Sequence, residues 1–375
     1  MKVLHVYKVF GPNANGGVEK CIAQLASASA ALGVHNEVLT VSTEHSEHTL
    51  ELGDCLVHSV PCNIDIASTP IAFKLIARLA QLAPQFDIVH YHFPWPWMDV
   101  AHFLARVRVP TVVTYHSDVV RQANWLRLYR PLMHQFLRSV DRIVATSPDY
   151  LETSPKLEHH REKCDVIPIG LDQQSYPSSS PSRLAAWRER FGTQFFLFVG
   201  VLRYYKGLHN LLEAAAGTRY PVVIVGDGPL GAELREEARR LGLTHVHFLG
   251  ALSDEDKIAL LTLCRAFIFP SHLRAEAFGI SLLEAAMHGK PLISCEIGTG
   301  TSYINQHGQT GLVVAPDDPV ALRRAMKTLW DDAALCAAFG AQAAARYAAL
   351  FTANQMAVRY LQVYQSLAAA PSARR

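Results

Sequence analysis

Several things are scarce in this 375-residue chain, and each scarcity excludes something. Cysteine is sparse and unpatterned: the seven residues, Cys21, Cys55, Cys62, Cys164, Cys264, Cys295 and Cys336, form no C-x-x-C pair and are odd in number. A disulfide scaffold or a thiolate zinc site is not expected, and small buried thiols in a reducing compartment are. An excess of one charge is also lacking. With 35 Lys and Arg against 33 Asp and Glu the net charge is +2, which argues against a dedicated nucleic-acid binder. No uncharged apolar run reaches the roughly 20 residues that span a bilayer. The opening "MKVLHVYKVF" reads as a strand, too short and interrupted for a secretory segment.

What is present is apolar mass: half of the residues are hydrophobic, enough for two domains with cores of their own. Strand-like runs alternate with helix-like runs throughout. The first half carries "KVLHVYKV", "EVLTV", "DIVHYHF", "PTVVTYH", "DRIVATS" and "CDVIPI". The second carries "FFLFVG", "PVVIVG", "HVHFLG", "AFIFPS", "PLISC" and "GLVVA". Such alternation predicts α/β domains with parallel sheets covered on both faces. "DQQSYPSSSPSRL" between the halves reads as a linker. We therefore expect a first domain over 1–173, a linker over 174–182, a second domain over 183–350, and a C-terminal helix over 351–375 with a frayed end. In open α/β sheets, ligands bind beyond the carboxyl ends of strands, so motifs after strands come first.

"GPNANGGVEK" follows the first strand. Gly16 and Gly17 allow close backbone approach, and the helix they open presents amides to an anion. In "FVGVLRYYKGL", Arg203 and Lys206 follow a strand, two cations suited to a diphosphate. "VGDGPLG" spells G-x-G-x-x-G through Gly226, Gly228 and Gly231. No acidic residue ends the next strand, so a tight turn lining a nucleotide site suits it better than NAD binding. "LRAEAFGISLLEAAMHGKP" holds two carboxylates, Glu276 and Glu284, in apolar surroundings. Burying a carboxylate without a partner is costly, so both need partners or a task. A turn at Phe278–Gly279 and a helix from Ile280 or Ser281 put Glu276 in the loop and Glu284 about one turn into the helix. Helix-start amides then lie between them, suiting a phosphate flanked by hydroxyl-bearing groups.

Three patterns read two ways or fall to the plainer reading. His116 and Asp118 end the strand "VVTYHSD", as a ligand contact or as structure. His90 and His92 in "DIVHYHF" lack a further ligand cluster, so no metal site is expected. The "DED" triplet, Asp254 to Asp256, follows Ser253 and reads as a helix cap. Residues 119–142, "VVRQANWLRLYRPLMHQFLRSVDR", interleave Arg121, Arg127, Arg130, Arg138 and Arg142 with Trp125, Tyr129, Met133 and Phe136. That pattern fits a basic helix on an anionic membrane, and equally a core-facing helix with a solvated basic face; Pro131 adds a break point.

Taken in order, "GGVEK", "YHSD", "VIPIGLD", "FVGVLRYYKGL", "VGDGP", "AEAFGISLLEA" and "EIGTGTSYINQHGQTGLVVAPDD" resemble the retaining glycosyltransferases of family 4 over the whole chain. The resemblance implies the GT-B architecture, two facing Rossmann-like domains with a central cleft and a C-terminal helix packing back toward the first. It implies that Glu276, in a Glu-x7-Glu motif, meets donor-sugar hydroxyls and that Glu284 binds the ribose. Phe278, Gly279 and Ile280 supply amides, Lys206 meets the diphosphate, and His116 lies near the sugar. Gly16, Gly17 and Gly226 line the donor. The sequence departs from the family at Val201, where an arginine is usual and where Arg203 is the replacement, and at Ile169, usually asparagine.

The loop "EIGTGTSYIN", with Thr299 and Thr301, resembles bacterial enzymes that use GDP-mannose or GDP-rhamnose to build O-antigen. The implied acceptor is an oligosaccharide on a polyprenyl diphosphate. The implied location is cytoplasmic, peripheral on the inner membrane through 121–142, with no metal or other cofactor. A UDP-sugar donor, and more distantly an NAD-dependent oxidoreductase, stay open at this point.

Overall fold

The computed structural model describes residues 1–12, 16–66, 69–118 and 123–369, the side chains of 123–128 excepted. The chain forms two compact units. One comprises Met1–Asp172 and Thr352–Arg375, the other Gln173–Phe351. The stretch expected as a linker belongs to the second unit. It holds a short 3-10 turn, Gln173–Ser175, and Ser180, whose hydroxyl accepts from the Arg183 amide to cap a helix.

The first unit contains β1 (Lys2–Val6), β2 (His35–Ser42), β3 (His48–Leu52), β4 (Cys55–Pro61), β5 (Ile64–Ile66), β6 (Thr69–Ile71), β7 (Ile88–Phe93), β8 (Thr111–Tyr115), β9 (Arg142–Ala145) and β10 (Cys164–Val166). Its helices are α1 (Gly17–Ala30), α2 (Lys74–Leu82), α3 (Pro96–Leu104), α4 (Ala123–Ser139) and α5 (Pro148–Thr153). Eight strands form one sheet in the order β10-β9-β8-β7-β1-β2-β4-β3, while β5 and β6 pair separately. Only β3 runs antiparallel, at the edge. The order reverses direction beside β1, between β2 and β7.

All six strands expected in the first half are present; β3 to β6 were not expected. For β3 the sequence explains the omission. In "HTLEL" of β3, half-buried residues alternate with exposed ones, because one face of an edge strand stays wet. A search for continuous apolar runs passes over such a strand.

The second unit contains β11 (Phe196–Val199), β12 (Val222–Val225), β13 (Val246–Gly250), β14 (Ala266–Phe269), β15 (Leu292–Cys295) and β16 (Gly311–Val314). Its helices are α6 (Pro181–Phe191), α7 (Leu208–Ala216), α8 (Gly231–Arg240), α9 (Asp254–Leu263), α10 (Ile280–Met287), α11 (Gly300–Ile304), α12 (Pro319–Asp331) and α13 (Ala333–Leu350). The sheet is wholly parallel in the order β13-β12-β11-β14-β15-β16, which is the Rossmann order. "FLFV", "VVIV" and "AFIF" are buried at every position, as a sheet covered on both faces requires.

The alanine-rich tail divides between the units. Helix α13 packs on α10, β15 and β16 of the second unit. A last helix, α14 (Ala353–Ala369), packs on α1 of the first, with Ala353 donating its amide to the Leu171 carbonyl at 3.0 Å. The expected fraying at the extreme end concerns 370–375, which lie outside the described residues.

The basic segment partly resolves. Helix α4 runs through Pro131 without a break. Met133, Phe136 and Leu137 are fully buried, and Arg142 makes a two-pronged ion pair with Asp165. The second half of the segment is thus a core-facing helix with Arg130 and Arg138 exposed. Residues 119–122 and the side chains of 123–128, which include Arg121, Trp125 and Arg127, lie outside the described residues.

Candidate active site

In the second unit the strand order reverses beside β11, between β12 and β14, and the crevice beyond their carboxyl ends is where an open α/β sheet binds ligands. Two loops meet there. The loop after β11 winds into a 3-10 turn, Tyr204–Lys206. The loop after β14 runs from Pro270 to Gly279 and enters α10. They are tied together: the His272 amide donates to Tyr205 O at 3.0 Å, and His272 Nε2 lies 3.0 Å from Tyr204 O.

At their junction Lys206 Nζ donates to Glu276 Oε2 at 2.5 Å, and Ser271 Oγ donates to the same oxygen at 3.2 Å. Both charged residues are only 9% exposed. The ammonium also lies over the Phe269 ring, 4.6 Å from its centre, a cation–π contact that partly replaces lost water. The partner that a buried glutamate needs is therefore a lysine 70 residues earlier. Among the described residues, both bonds to the Glu276 carboxylate fall on Oε2, which leaves Oε1 for a ligand.

Gly279 carries φ 97°, a left-handed conformation that favours glycine, and it precedes Ile280, the first residue of α10. No side chain caps this helix start, so its amides point to the crevice unanswered by a cap. Glu284 sits in the second turn of α10, where the Tyr176 hydroxyl donates to its Oε1 at 2.9 Å. Phe278 is buried, its ring against Phe351, so its backbone is what it can offer a ligand.

The remaining expected positions differ in character. Arg203 is exposed and hydrogen-bonds Tyr205, whose hydroxyl burial pushes up to about 12 despite that bond. Val201, where the family usually has arginine, is half exposed. Gly226 carries φ 129°, and a Cβ there would meet the Gly200 carbonyl oxygen at 2.0 Å. It therefore packs the β12–α8 turn onto the loop that carries Arg203 and Lys206. Thr299 and Thr301 lie at the start of α11. Their hydroxyls are buried, 3.3 Å from each other, with Thr301 donating to Cys295 O at 3.4 Å. They back the Glu276 loop, which the Gly300 amide braces by donating to Ala277 O at 2.9 Å.

The sequence reading missed Ser271, His272, Asn210, Asp317 and Tyr176. His272 Nδ1 lies 2.5 Å from Asp317 Oδ1, to which Asn210 Nδ2 also donates at 2.9 Å. These hold Asp317 well ionised, below the usual carboxylate range. No local motif announces them, because they converge from four separate segments. The "DED" triplet is structural: Ser253 caps α9, and Asp256 accepts from Arg183 at 2.6 Å and Trp187 at 2.8 Å.

In the first unit, Gly16 is the N-cap of α1 and Gly17 its first residue. Glu19 folds back over this helix start, to within 2.2 Å of where a Gly16 Cβ would stand, and its burial raises its carboxyl above the usual range. His116 follows β8 and is 6% exposed. Asp118, two residues on, is held by the Tyr115 and Ser154 hydroxyls at 2.9 and 3.0 Å and is structural.

His116 belongs to a group. The period of 2 along a strand puts His90 and His92 of β7 on one sheet face, with His5 of β1 in register with His90 and Thr114 of β8 in register with His92. Each ring nitrogen of His5, His90 and His92 has a partner between 2.7 and 3.2 Å: Asn36, Thr114, Tyr364, His116 or one another. A metal ion among them would have to displace those bonds. Burial keeps the four imidazoles neutral, lowering His5 to about 4 and His116 to about 3, with His90 and His92 well below the usual value.

The site can be set beside known proteins. Residues 185–346 match the family described as glycosyl transferases group 1, and residues 16–170 match a glycosyl transferase 4-like domain. The chain is 55% identical to a D-rhamnosyltransferase, WbpZ, of Pseudomonas aeruginosa, over 94% of this chain and 93% of that protein. It is 48% identical to the O-antigen chain mannosyltransferase C of Escherichia coli, over 98% and 99%. Among solved structures, Anabaena HepE in complex with UDP and glucose aligns with a TM-score of 0.78 at 22% identity, over 98% of this chain and 100% of that one. That last likeness concerns the fold.

Proposed function

Because the chain belongs to the group 1 glycosyl transferases, we propose that it moves a mannosyl or rhamnosyl unit from a GDP-sugar to a hydroxyl of a growing O-antigen-type glycan, with retention at the anomeric carbon. It is a hexosyltransferase of GT-B fold, and its family implies a nucleotide-sugar donor and a glycan acceptor. The sugar follows the rhamnosyl- and mannosyltransferase relatives at 55% and 48% identity. The acceptor would be held on a polyprenyl diphosphate. No helix among the described residues is long and apolar enough to cross a membrane, so the chain would meet such an acceptor at the membrane surface.

The observation that carries the chemistry is the buried Lys206–Glu276 pair at the switch point of the second sheet. One ammonium hydrogen goes to Glu276, which leaves two for diphosphate oxygens. Arg203 adds a second cation, and the uncapped amides at the start of α10 add donors fixed in place. Together they stabilise charge on the departing GDP as the sugar C1–O bond breaks. The acceptor oxygen bonds to C1 on the same face, and its proton passes to the leaving phosphate. Glu276 Oε1 orients a sugar hydroxyl, Glu284 accepts from the ribose, and His116 accepts from a further hydroxyl. Gly16 and Gly17 offer the start of α1. No metal enters this scheme.

Glu276→Ala and Glu284→Ala separate the roles. The first should lower turnover by roughly a hundred- to a thousandfold with GDP affinity little changed. The second should weaken GDP binding by about tenfold or more, read by calorimetry. Wild-type turnover in Glu276→Ala would sink the assignment.

A further inference from the structure

We propose that Asn36 sets the tautomer of His116 through two intervening histidines, so that His116 always presents a bare Nδ1 able to accept, and not donate, a hydrogen bond.

Asn36 anchors the series and is 1% exposed. Its Nδ2 lies 3.1 Å from Ala26 O, 3.3 Å from Val34 O and 3.0 Å from Ser29 Oγ. Two of those are carbonyls, which only accept. The third, Ser29 Oγ, directs its own hydrogen to Ala26 O at 3.2 Å. The amide nitrogen must occupy that side, because a flipped amide would press its oxygen against two carbonyls. Oδ1 therefore faces His5 Nε2, 3.2 Å away.

An amide oxygen only accepts, so His5 carries its proton on Nε2. His5 is buried and neutral, which leaves its Nδ1 bare. That nitrogen lies 3.1 Å from His92 Nε2, which must then be the donor. His92 is neutral too, so its Nδ1 is bare, and it lies 3.0 Å from His116 Nε2. His116 must donate there, and its own Nδ1 is left with a lone pair. Three hydrogen bonds thus run in one direction, two from ring to ring and the last from His5 onto the Asn36 oxygen. Reversing them would bring a bare Nε2 of His5 against the bare oxygen of Asn36.

The rings are also held close to one plane: His5 and His92 lie 5.3 Å centre to centre with planes 28° apart, and His92 and His116 lie 5.2 Å apart with planes 21° apart. His90 stacks on His92 at 4.4 Å but is bonded separately, to Tyr364 OH and Thr114 Oγ1 at 2.7 Å each. A neutral imidazole with a bare outer nitrogen repels phosphate oxygens and accepts from hydroxyls. Asn36, His5 and His92 are thus positioning residues that turn His116 toward a hydroxyl-bearing part of the substrates. Only the origin of that hydroxyl rests on the glycosyl-transfer reading.

The test needs no substrate, so it stands apart from the donor assignment. Long-range proton–nitrogen correlation spectra of the full chain, labelled with nitrogen-15 histidine, report which ring nitrogen holds the proton. Signals are assigned by their loss in His5→Gln, His92→Gln and His116→Gln. Near neutral pH, all three rings should show Nε2–H and a bare Nδ1. A proton on Nδ1 of any of them overturns the proposal, and so does a stoichiometric metal ion on His5, His90 and His92. In Asn36→Leu and His5→Phe, with folding checked by the amide spectrum, the two His116 nitrogen signals should move toward each other as the tautomers mix. An unchanged His116 in either folded variant overturns the relay. Should Asn36→Leu not fold, His5→Phe and the wild-type spectrum still decide.

Discussion

At the scale of single residues, the buried ammonium of Lys206 and carboxylate of Glu276 make the sharpest demands on the chain. Removing one partner leaves the other charged in a place with little water, which costs about 3–5 kcal/mol. Lys206→Met should therefore lower the denaturant midpoint more than the double variant Lys206→Met/Glu276→Gln, in which no charge is left behind. Equal losses would mean that water already reaches the pair. Tyr176→Phe removes the hydroxyl that donates to Glu284 Oε1. A hydrogen bond to a charged group contributes about 1.5–3 kcal/mol, so KM for the donor should rise by roughly tenfold with kcat little changed. A fall in kcat alone would contradict a binding role for Glu284.

At the scale of elements, the strand exits decide what meets what, and they explain what could be read in advance. The alternation of apolar strands and amphipathic helices was plain in "FLFV", "VVIV" and "AFIF", because central parallel strands are apolar at every position. Glu276, Lys206 and the start of α10 were legible as pieces, since each follows a strand. That Lys206 would be the partner of Glu276 was not legible. It depends on β11 lying beside β14, a neighbour relation that the linear order does not state. The same holds for His5 and Asn36, which reach His116 only because β1 lies between β2 and β7. The burial of Thr299 and Thr301 was not legible for a related reason: a polar loop looks open until a second loop covers it. The Gly226 turn offers a check at this scale. Gly226→Ala would drive a Cβ into the Gly200 carbonyl, so the second unit should lose roughly 1–3 kcal/mol in urea unfolding, and Arg203 and Lys206 should lose their alignment. Unaltered stability and unaltered kcat would deny the turn its supporting role.

At the scale of the whole molecule, titration should bear unequally on the two units. His5, His90, His92 and His116 all lie in the first, with folded pKa values depressed below that of an unfolded histidine. Between about pH 6.5 and 4 the unfolded chain binds protons that the folded one refuses. Stability is then present at neutral pH and is lost as pH falls, by up to about 1.4 kcal/mol per pH unit for each group. Unfolding followed by a probe in the first unit should show this slope, and a probe in the second should show less. A flat profile in the first unit would mean that the imidazoles are charged or solvated in the folded state. Activity should also survive a chelator, since Asp256 of the acidic triplet is engaged by Arg183 and Trp187. Complete loss in EDTA would return those carboxylates to the chemistry.

The central claim is that this glycosyltransferase takes its sugar from a GDP donor by way of Glu276. The most direct measurement is a panel of GDP- and UDP-sugars offered with one glycan acceptor, with products read by mass spectrometry for the wild type and for Glu276→Ala. The expected product is a hexose or deoxyhexose addition from GDP-mannose or GDP-rhamnose with the wild type only. Transfer from UDP-sugars alone, or equal transfer by Glu276→Ala, would contradict it.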